Sequence, residues 1–221
     1  MYILNIETST KNCSVALAKD GKTIAIREMA EQGYSHAEFL HVFVEELIAE
    51  SKITFKDLSA VTIGQGPGSY TGLRIGVSAA KGLCYALDIP LISINTLLIL
   101  AKGVSIENGN IIPMIDARRM EVYTAVFDKS YQVIEQTSAK ILDENSFDNI
   151  QETIYIIGDC QEKVKRVLTD SKFVFLSENE FPSADTMSQL SYDKFLKNSF
   201  EDVAYFEPLY LKDFLVLEKK K

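Results

Sequence analysis

The stretch "GQGPGSYTGLRIGVSAAKG", residues 64–82, joins a strand-like run to a helix through a glycine-rich turn, as nucleotide-binding loops do. A P-loop requires Gly-Lys-Ser/Thr at the helix entry, whereas residues 71–74 read Thr-Gly-Leu-Arg. A dinucleotide fingerprint also fits poorly, because Pro67 crowds the turn and Ser69 occupies the third small position. The stretch therefore predicts a strand–loop–helix unit whose glycines serve a purpose other than phosphate binding.

The predicted helix after this turn carries small residues three and four positions apart. A glycine inside a helix costs about 1 kcal/mol relative to alanine, so close approach of another element must offset the cost. That element is either the protein's own sheet or a helix of a second subunit, and the sequence leaves both open. The small residues are Gly72, Gly76, Ala79, Ala80 and Gly82.

A second helix is predicted to begin at Ser35, which forms a capping-box pattern with Glu38. Its apolar stripe is wide enough to contact a sheet on one side and another surface beside it. Together with the small-residue strip, it predicts half of a helical bundle between subunits. The stripe consists of Phe39, Leu40, Phe43, Val44, Leu47 and Ile48.

The composition is that of an ordinary globular protein, with 47% hydrophobic and 24% charged residues in a chain of 221. A net charge of −8 disfavours direct binding of nucleic acid over a broad surface. Cys13, Cys84 and Cys160 are far apart in apolar surroundings and are predicted to be buried reduced thiols of a cytoplasmic protein. No apolar run reaches transmembrane length, so no membrane association is expected.

The two halves of the chain repeat one pattern weakly. Aligning "NIETSTKNCSVAL" with "MIDARRMEVYTAV" places Glu7 opposite Asp116, each at a strand end before a return strand. This predicts a duplicated α/β architecture with mixed sheets covered by helices. We expect an N-terminal domain over residues 1–105 and a smaller, degenerate one over residues 106–221, whose last segment can return to the first.

Catalytic chemistry finds little support in the sequence. His36 and His41 are five residues apart, about 140° around a helix, whereas zinc-binding helices use spacings of three or four. Asp116 and Arg118 are predicted to pair or to cap their loop. The segments after Glu7 and Asp116 lack the glycines that let backbone amides approach a phosphate, which disfavours an independent ATPase. No catalytic residue and no metal site are predicted.

The motifs "GQGPGSYTGLRIGVSAAKGL", "IDARRMEVY" and "EPLYLKD", after the opening "ILNIETSTKNCSVAL", resemble those of the bacterial TsaB family, also called YeaZ. The motifs follow the family's order over essentially the whole chain. The resemblance implies a duplicated two-domain actin/Hsp70-like (ribonuclease H-like) fold. It also implies a role in forming N6-threonylcarbamoyladenosine (t6A) at position 37 of tRNAs that read ANN codons. Glu7 is a departure, because aspartate is common there in the family.

The resemblance further implies a non-catalytic subunit that pairs with the catalytic subunit TsaD and works with the ATPase TsaE. It implies a homodimer in isolation, contact with tRNA only through the complex, and no cofactor except ATP or ADP at the shared interface. The family's pairing helices map to residues 35–51 and 72–87. The partner-binding residues expected from this mapping are His36, Leu40, Phe43, Leu47, Gly72, Arg74, Ile75, Gly76, Ala79, Ala80 and Leu83.

Two other functions stay open at this point. The chain could be an ATPase or a peptidase of the actin-like or TsaD-related class acting on its own, which only Glu7 and Asp116 support. It could also be a free-standing tRNA-binding module, which the net charge of −8 disfavours.

Overall fold

The computed structural model describes residues 1–30 and 36–212, which contain two five-stranded mixed sheets. In the first sheet, β1 pairs antiparallel with β2 and parallel with β4, in the order β3-β2-β1-β4-β5. The Asp20-Gly21 turn joins β2 to β3, with φ angles of 50° and 81°. The strands are β1 (Tyr2–Glu7), β2 (Asn12–Lys19), β3 (Lys22–Ala30), β4 (Leu58–Gly64) and β5 (Leu91–Ile94).

The second sheet repeats this topology in the order β10-β9-β6-β7-β8. Its meander is antiparallel, and β9 pairs parallel with both β6 and β10. Because β6 takes the place of β1, Asp116 occupies the strand end that matches Glu7, and the predicted duplication is confirmed. The strands are β6 (Asn110–Asp116), β7 (Glu121–Asp128), β8 (Val133–Ile141), β9 (Ile154–Ile157) and β10 (Phe173–Phe175).

Two long helices cover one face of the first sheet. Helix α1 (His36–Glu50) contacts β2, and helix α2 (Tyr70–Leu87) contacts β4. The Ser69 side chain caps α2 by accepting a hydrogen bond from the amide of Gly72, and Asp88 ends the helix in the left-handed region. Ser35, the predicted cap of α1, lies outside the described residues.

The remaining helices are α3 (Thr96–Ala101), α4 (Gln161–Val164) and α5 (Ser188–Leu196). Helix α3 follows the first sheet in the chain but packs on the second, where Leu97 and Leu100 join the core of Ile111 and Phe127. Helix α5 follows the second sheet and packs on the first. The strands of the first sheet lie within residues 2–94 and those of the second within residues 110–175, while α3 and α5 are exchanged between the two sheets.

Polar contacts join α5 to the first sheet. The side-chain amide of Asn5 donates to the hydroxyl of Ser188 over 3.2 Å, and the Lys194 ammonium donates to the backbone carbonyl of Ser93 over 2.6 Å. Burial lowers the pKa of Lys194. The contact also has an apolar part, since Phe195 covers buried side chains on this face of the sheet.

The segment of residues 200–212, here called the C-terminal strap, returns to the first domain and then reaches the second. It joins the edge of the first sheet, helix α2, the glycine loop and the β6–β7 turn. Its contacts are Glu201 N to Leu91 O (2.8 Å), Lys81 Nζ to Ala204 O (3.0 Å), Leu209 N to Gln65 O (2.8 Å) and Lys212 Nζ to Ala117 O (3.0 Å).

Candidate partner-binding surface

The space beside Gly72 and Gly76 of α2 is filled by the protein's own chain. A Cβ atom built on Gly72 would lie 2.0 Å from the carbonyl oxygen of Thr8, and one on Gly76 would lie 2.2 Å from the Thr8 hydroxyl. That hydroxyl donates to the Gly72 carbonyl over 2.8 Å. These two glycines therefore admit the turn after β1, which corrects the prediction that they contact a neighbouring subunit.

The same turn occupies the place where a phosphate group would have to lie in the loop. The amide of Ser69 donates to the carbonyl of Ser9 over 2.6 Å, and a Cβ atom on Gly68 would lie 2.3 Å from that carbonyl oxygen. A phosphate needs hydrogen-bond donors, whereas the chain places carbonyl oxygens here. The residues of this loop do not fit a nucleotide phosphate.

Glu7, at the end of β1, is fully buried and hydrogen-bonded within the fold. Its Oε1 accepts from the Ser9 amide over 2.6 Å, and its Oε2 accepts from the Thr96 hydroxyl over 3.2 Å. Burial raises the pKa of this carboxyl, against the lowering effect of these hydrogen bonds. A Cβ atom on Gly64 would lie 1.9 Å from Oε2, so glycine is required beside it. The Glu7 carboxyl therefore fills a structural position.

The matching position in the second sheet has a different environment. Asp116 is exposed, forms an ion pair with Lys163, and caps its loop by accepting a hydrogen bond from the Arg118 amide over 2.9 Å. Its own amide donates to Asp159 over 2.9 Å. Burial raises the pKa of Asp159 to about 6, and the neighbouring Asp116 charge adds to the rise. The prediction that Asp116 caps its loop is confirmed, whereas the sequence analysis missed Asp159.

Many of the expected partner-binding residues belong to the interior. His36 is buried, its Nε2 lies 2.8 Å from the Thr10 carbonyl, and burial lowers the pKa of its imidazole. Residues expected to contact a partner therefore face the inside of this chain, because the apolar stripe of α1 packs on its own sheet. The residues buried in this way are His36, Leu40, Phe43, Leu47, Gly72, Gly76 and Ala80.

The residues that remain accessible form what we call the outer-helix surface. Arg74 is exposed and its guanidinium lies 4.0 Å from the centre of the Tyr70 ring, while other members are half-buried or open. Val42 and Tyr85, which sequence reasoning missed, are 46% and 86% exposed. The outer-helix surface consists of Val42, Arg74, Ile75, Ala79, Gly82, Leu83 and Tyr85.

Gly82 differs from the other glycines of α2, because a Cβ atom built on it meets nothing within 4 Å. The outward side of α2 is therefore bare at this turn and bordered by Ala79, Leu83 and Tyr85. Apolar and aromatic side chains with an arginine nearby are typical of protein–protein interfaces.

Other kinds of site lack support in the described part of the chain. Within residues 1–30 and 36–212, no group of three or more His, Cys, Asp or Glu side chains is placed to hold a metal ion. Over the same residues, no helix combines the length and apolar character needed to cross a membrane.

Comparison with known proteins gives consistent results over the whole chain. The family model for tRNA N6-adenosine threonylcarbamoyltransferase (TsaD) matches residues 28–213. The chain is 30% identical to the tRNA threonylcarbamoyladenosine biosynthesis protein TsaB of Escherichia coli, over 99% of this chain and 98% of that one. It is also 27% identical to the TsaB protein of Haemophilus influenzae over 99% of this chain and 97% of that one.

Solved structures agree with the sequence relatives. YeaZ from Pseudomonas aeruginosa superposes with a TM-score of 0.83 at 24% identity, over 95% of this chain and 99% of that one. The 2-hydroxyisocaproyl-CoA dehydratase activator from Clostridium difficile, solved with bound ADPNP, gives a TM-score of 0.51 at 10% identity, over 91% of this chain and 99% of that one. The predicted actin-like fold is thereby confirmed. The chain belongs to the TsaB (YeaZ) family of proteins of tRNA threonylcarbamoyladenosine biosynthesis.

Proposed function

We propose that this protein is a non-catalytic subunit that pairs with TsaD in forming t6A at position 37 of tRNAs that read ANN codons. The observation that carries the proposal is the outer-helix surface on a chain of the TsaB family, in which a bare helical turn at Gly82 lies among apolar side chains. A helix of TsaD would pack there, and the same surface would join two copies of this chain in isolation.

The environments of the two strand-end acids support a non-catalytic role. Glu7 is buried and hydrogen-bonded, so its carboxyl is not available to a reacting group, and the charge of the exposed Asp116 carboxylate is compensated by its ion pair with Lys163. In the glycine loop, the Ser69 amide already donates to the Ser9 carbonyl, so it is not available to a phosphate group of ATP. The alternative of an independent ATPase or peptidase predicts turnover of ATP or of a peptide by the purified chain alone.

The remaining partners and the location follow from this role. The subunit would act in the cytoplasm, bind no cofactor by itself, and hold ATP or ADP only where its surface meets TsaD. The ATPase TsaE would join the assembled pair, and tRNA would reach this chain through the complex.

The experiment is calorimetric titration of this chain with its TsaD homologue. Ala79→Arg places a long charged side chain on the outer-helix surface and is expected to weaken binding at least a hundredfold. Tyr85→Ala alters a side chain that is 86% exposed, so it cannot disturb the core, and is expected to weaken binding about tenfold. Leu196→Arg on α5, where the side chain is 61% exposed, is the control and should bind normally. Unchanged affinity of both test variants would refute the proposed surface.

A further inference from the structure

The turn between β6 and β7, residues 117–120, is here called the arginine turn. Arg118 and Arg119 have φ angles of 71° and 53°, in the left-handed region that residues with a Cβ atom rarely adopt. Glycine and asparagine occupy this region more readily, so the backbone geometry itself does not favour arginine. Strained non-glycine residues of this kind cluster at functional sites, which favours a functional role for the two arginine side chains.

The charges around the arginine turn leave both guanidinium groups uncompensated. Asp116 pairs with Lys163 and Glu121 with Lys212, while the third nearby carboxylate, Asp159, is half-buried and accepts a hydrogen bond from the Asp116 amide. Arg118 and Arg119 are exposed, and within residues 1–30 and 36–212 neither side chain forms a hydrogen bond or an ion pair. In a chain whose net charge is −8, this turn is a local site of positive charge.

Aromatic rings and further cations continue from the arginine turn toward α2. Lys212 donates to the Ala117 carbonyl over 3.0 Å, which ties the C-terminal strap to the turn. Two residues earlier in the strap, the ring of Tyr210 lies 4.9 Å from that of Tyr70, centre to centre. Cations interleaved with aromatic rings are the composition of surfaces that bind the backbone and bases of nucleic acids.

We propose that the arginine turn binds the phosphodiester backbone of the RNA substrate when the assembled complex holds it. The inference rests on the proposed function, because TsaD would supply the main RNA contacts. Guanidinium groups bind phosphate oxygens through two parallel hydrogen bonds, and two adjacent arginines can engage one phosphate or its neighbour. The net charge of −8 explains why this contact would be weak for the isolated chain.

The experiment measures the affinity of the complex of this chain with TsaD for an unmodified tRNA transcript at several KCl concentrations. Arg118→Gln/Arg119→Gln is expected to weaken tRNA binding about tenfold. It should also reduce the slope of log affinity against log salt by about 1 to 2, because one or two phosphate contacts are lost. The control, Lys22→Gln/Lys197→Gln, removes two exposed charges elsewhere and should leave both quantities unchanged.

A second variant separates loss of binding from loss of folding. Arg118→Asn/Arg119→Gly suits the backbone of the turn, so it should raise the melting temperature of the chain while weakening tRNA binding as much as the glutamine variant does. Equal tRNA affinity and equal salt slope for wild type and both arginine variants would overturn the inference.

Titration of TsaD without tRNA completes the test. The arginine variants should bind TsaD normally, which supports an RNA contact. If they instead weaken TsaD binding and leave the tRNA affinity of the saturated complex unchanged, the arginines contact acidic groups of the protein partner and the inference is wrong. If wild type itself does not bind TsaD, the proposed function fails first, whatever the arginine variants do.

Discussion

Two glycines of one helix should respond in opposite directions to the same substitution. Gly76 and Gly82 both lie inside α2, so alanine gains about 1 kcal/mol of helix propensity at either. At Gly82 the new Cβ atom meets nothing within 4 Å, and the full gain should appear as added stability. For a chain of this length, 1 kcal/mol raises the melting temperature by about 2–4 °C.

At Gly76 the new Cβ atom would lie 2.2 Å from the Thr8 hydroxyl and 3.0 Å from Cδ1 of Ile63. Thr8 would have to rotate and break its hydrogen bond to the Gly72 carbonyl, which leaves a buried hydroxyl unpaired at a cost of about 1–3 kcal/mol. Overpacking adds about 1–3 kcal/mol. The net loss expected for Gly76→Ala is therefore about 1–5 kcal/mol.

The assay is urea unfolding followed by circular dichroism, repeated at several protein concentrations so that self-association is separated from folding. Gly82→Ala should shift the midpoint upward and Gly76→Ala downward. If Gly76→Ala is as stable as wild type, Thr8 does not fill the space above it. If Gly82→Ala is destabilised, the outer side of α2 is not open.

Three further outcomes are expected. Asp159→Asn keeps an acceptor for the Asp116 amide but removes a carboxyl whose pKa is raised to about 6 by burial. The destabilising contribution of this carboxyl grows as pH rises from about 4 through 6, so the variant should be more stable than wild type at pH 7.5 by on the order of 2 kcal/mol and equal to it at pH 4. Equal stability of the two proteins at both pH values would contradict the burial. Burial raises the pKa of Cys13 and Cys84 to about 11 and that of Cys160 to about 12. A thiol reagent at pH 8 should therefore label all three cysteines quickly in urea and very slowly without urea. Fast labelling of the native chain would refute their burial. Leu97→Ala in α3 should cost about 2–5 kcal/mol by calorimetry, because the side chain is completely buried on the second sheet, and a smaller loss would mean that α3 is loosely packed.

The sequence was sufficient to predict the local elements and their duplication. The strand–loop–helix unit of residues 64–82 and the matching strand ends at Glu7 and Asp116 are encoded by neighbouring residues, so sequence patterns are enough to find them. The purpose of Gly72 and Gly76 could not be predicted from neighbouring residues, because the atoms that occupy the space beside them belong to Thr8, more than sixty residues earlier. A strip of small residues shows that something approaches closely, but it carries no information about what approaches.

The candidate site was predicted only in part for a similar reason. The apolar stripe of α1 was assigned to both a sheet and a partner, and the structure gives nearly all of it to the sheet. Tyr85 fits no periodic pattern, so its exposure could not be foreseen. The left-handed conformation of Arg118 and Arg119 could not be foreseen either, because sequence rules assign such positions to glycine or asparagine.

The exchange of α3 and α5 constrains how the protein can be made. Strands β1, β4 and β5 carry Ile3, Ala60 and Ile92 on a face that Phe195 of α5 covers. A ribosome releases the chain from its N-terminus, so Phe195 cannot cover this face until α5 has emerged. The first sheet can begin to form early but completes its core only after synthesis of residue 195, and a fragment that stops near residue 105 would aggregate through the uncovered face.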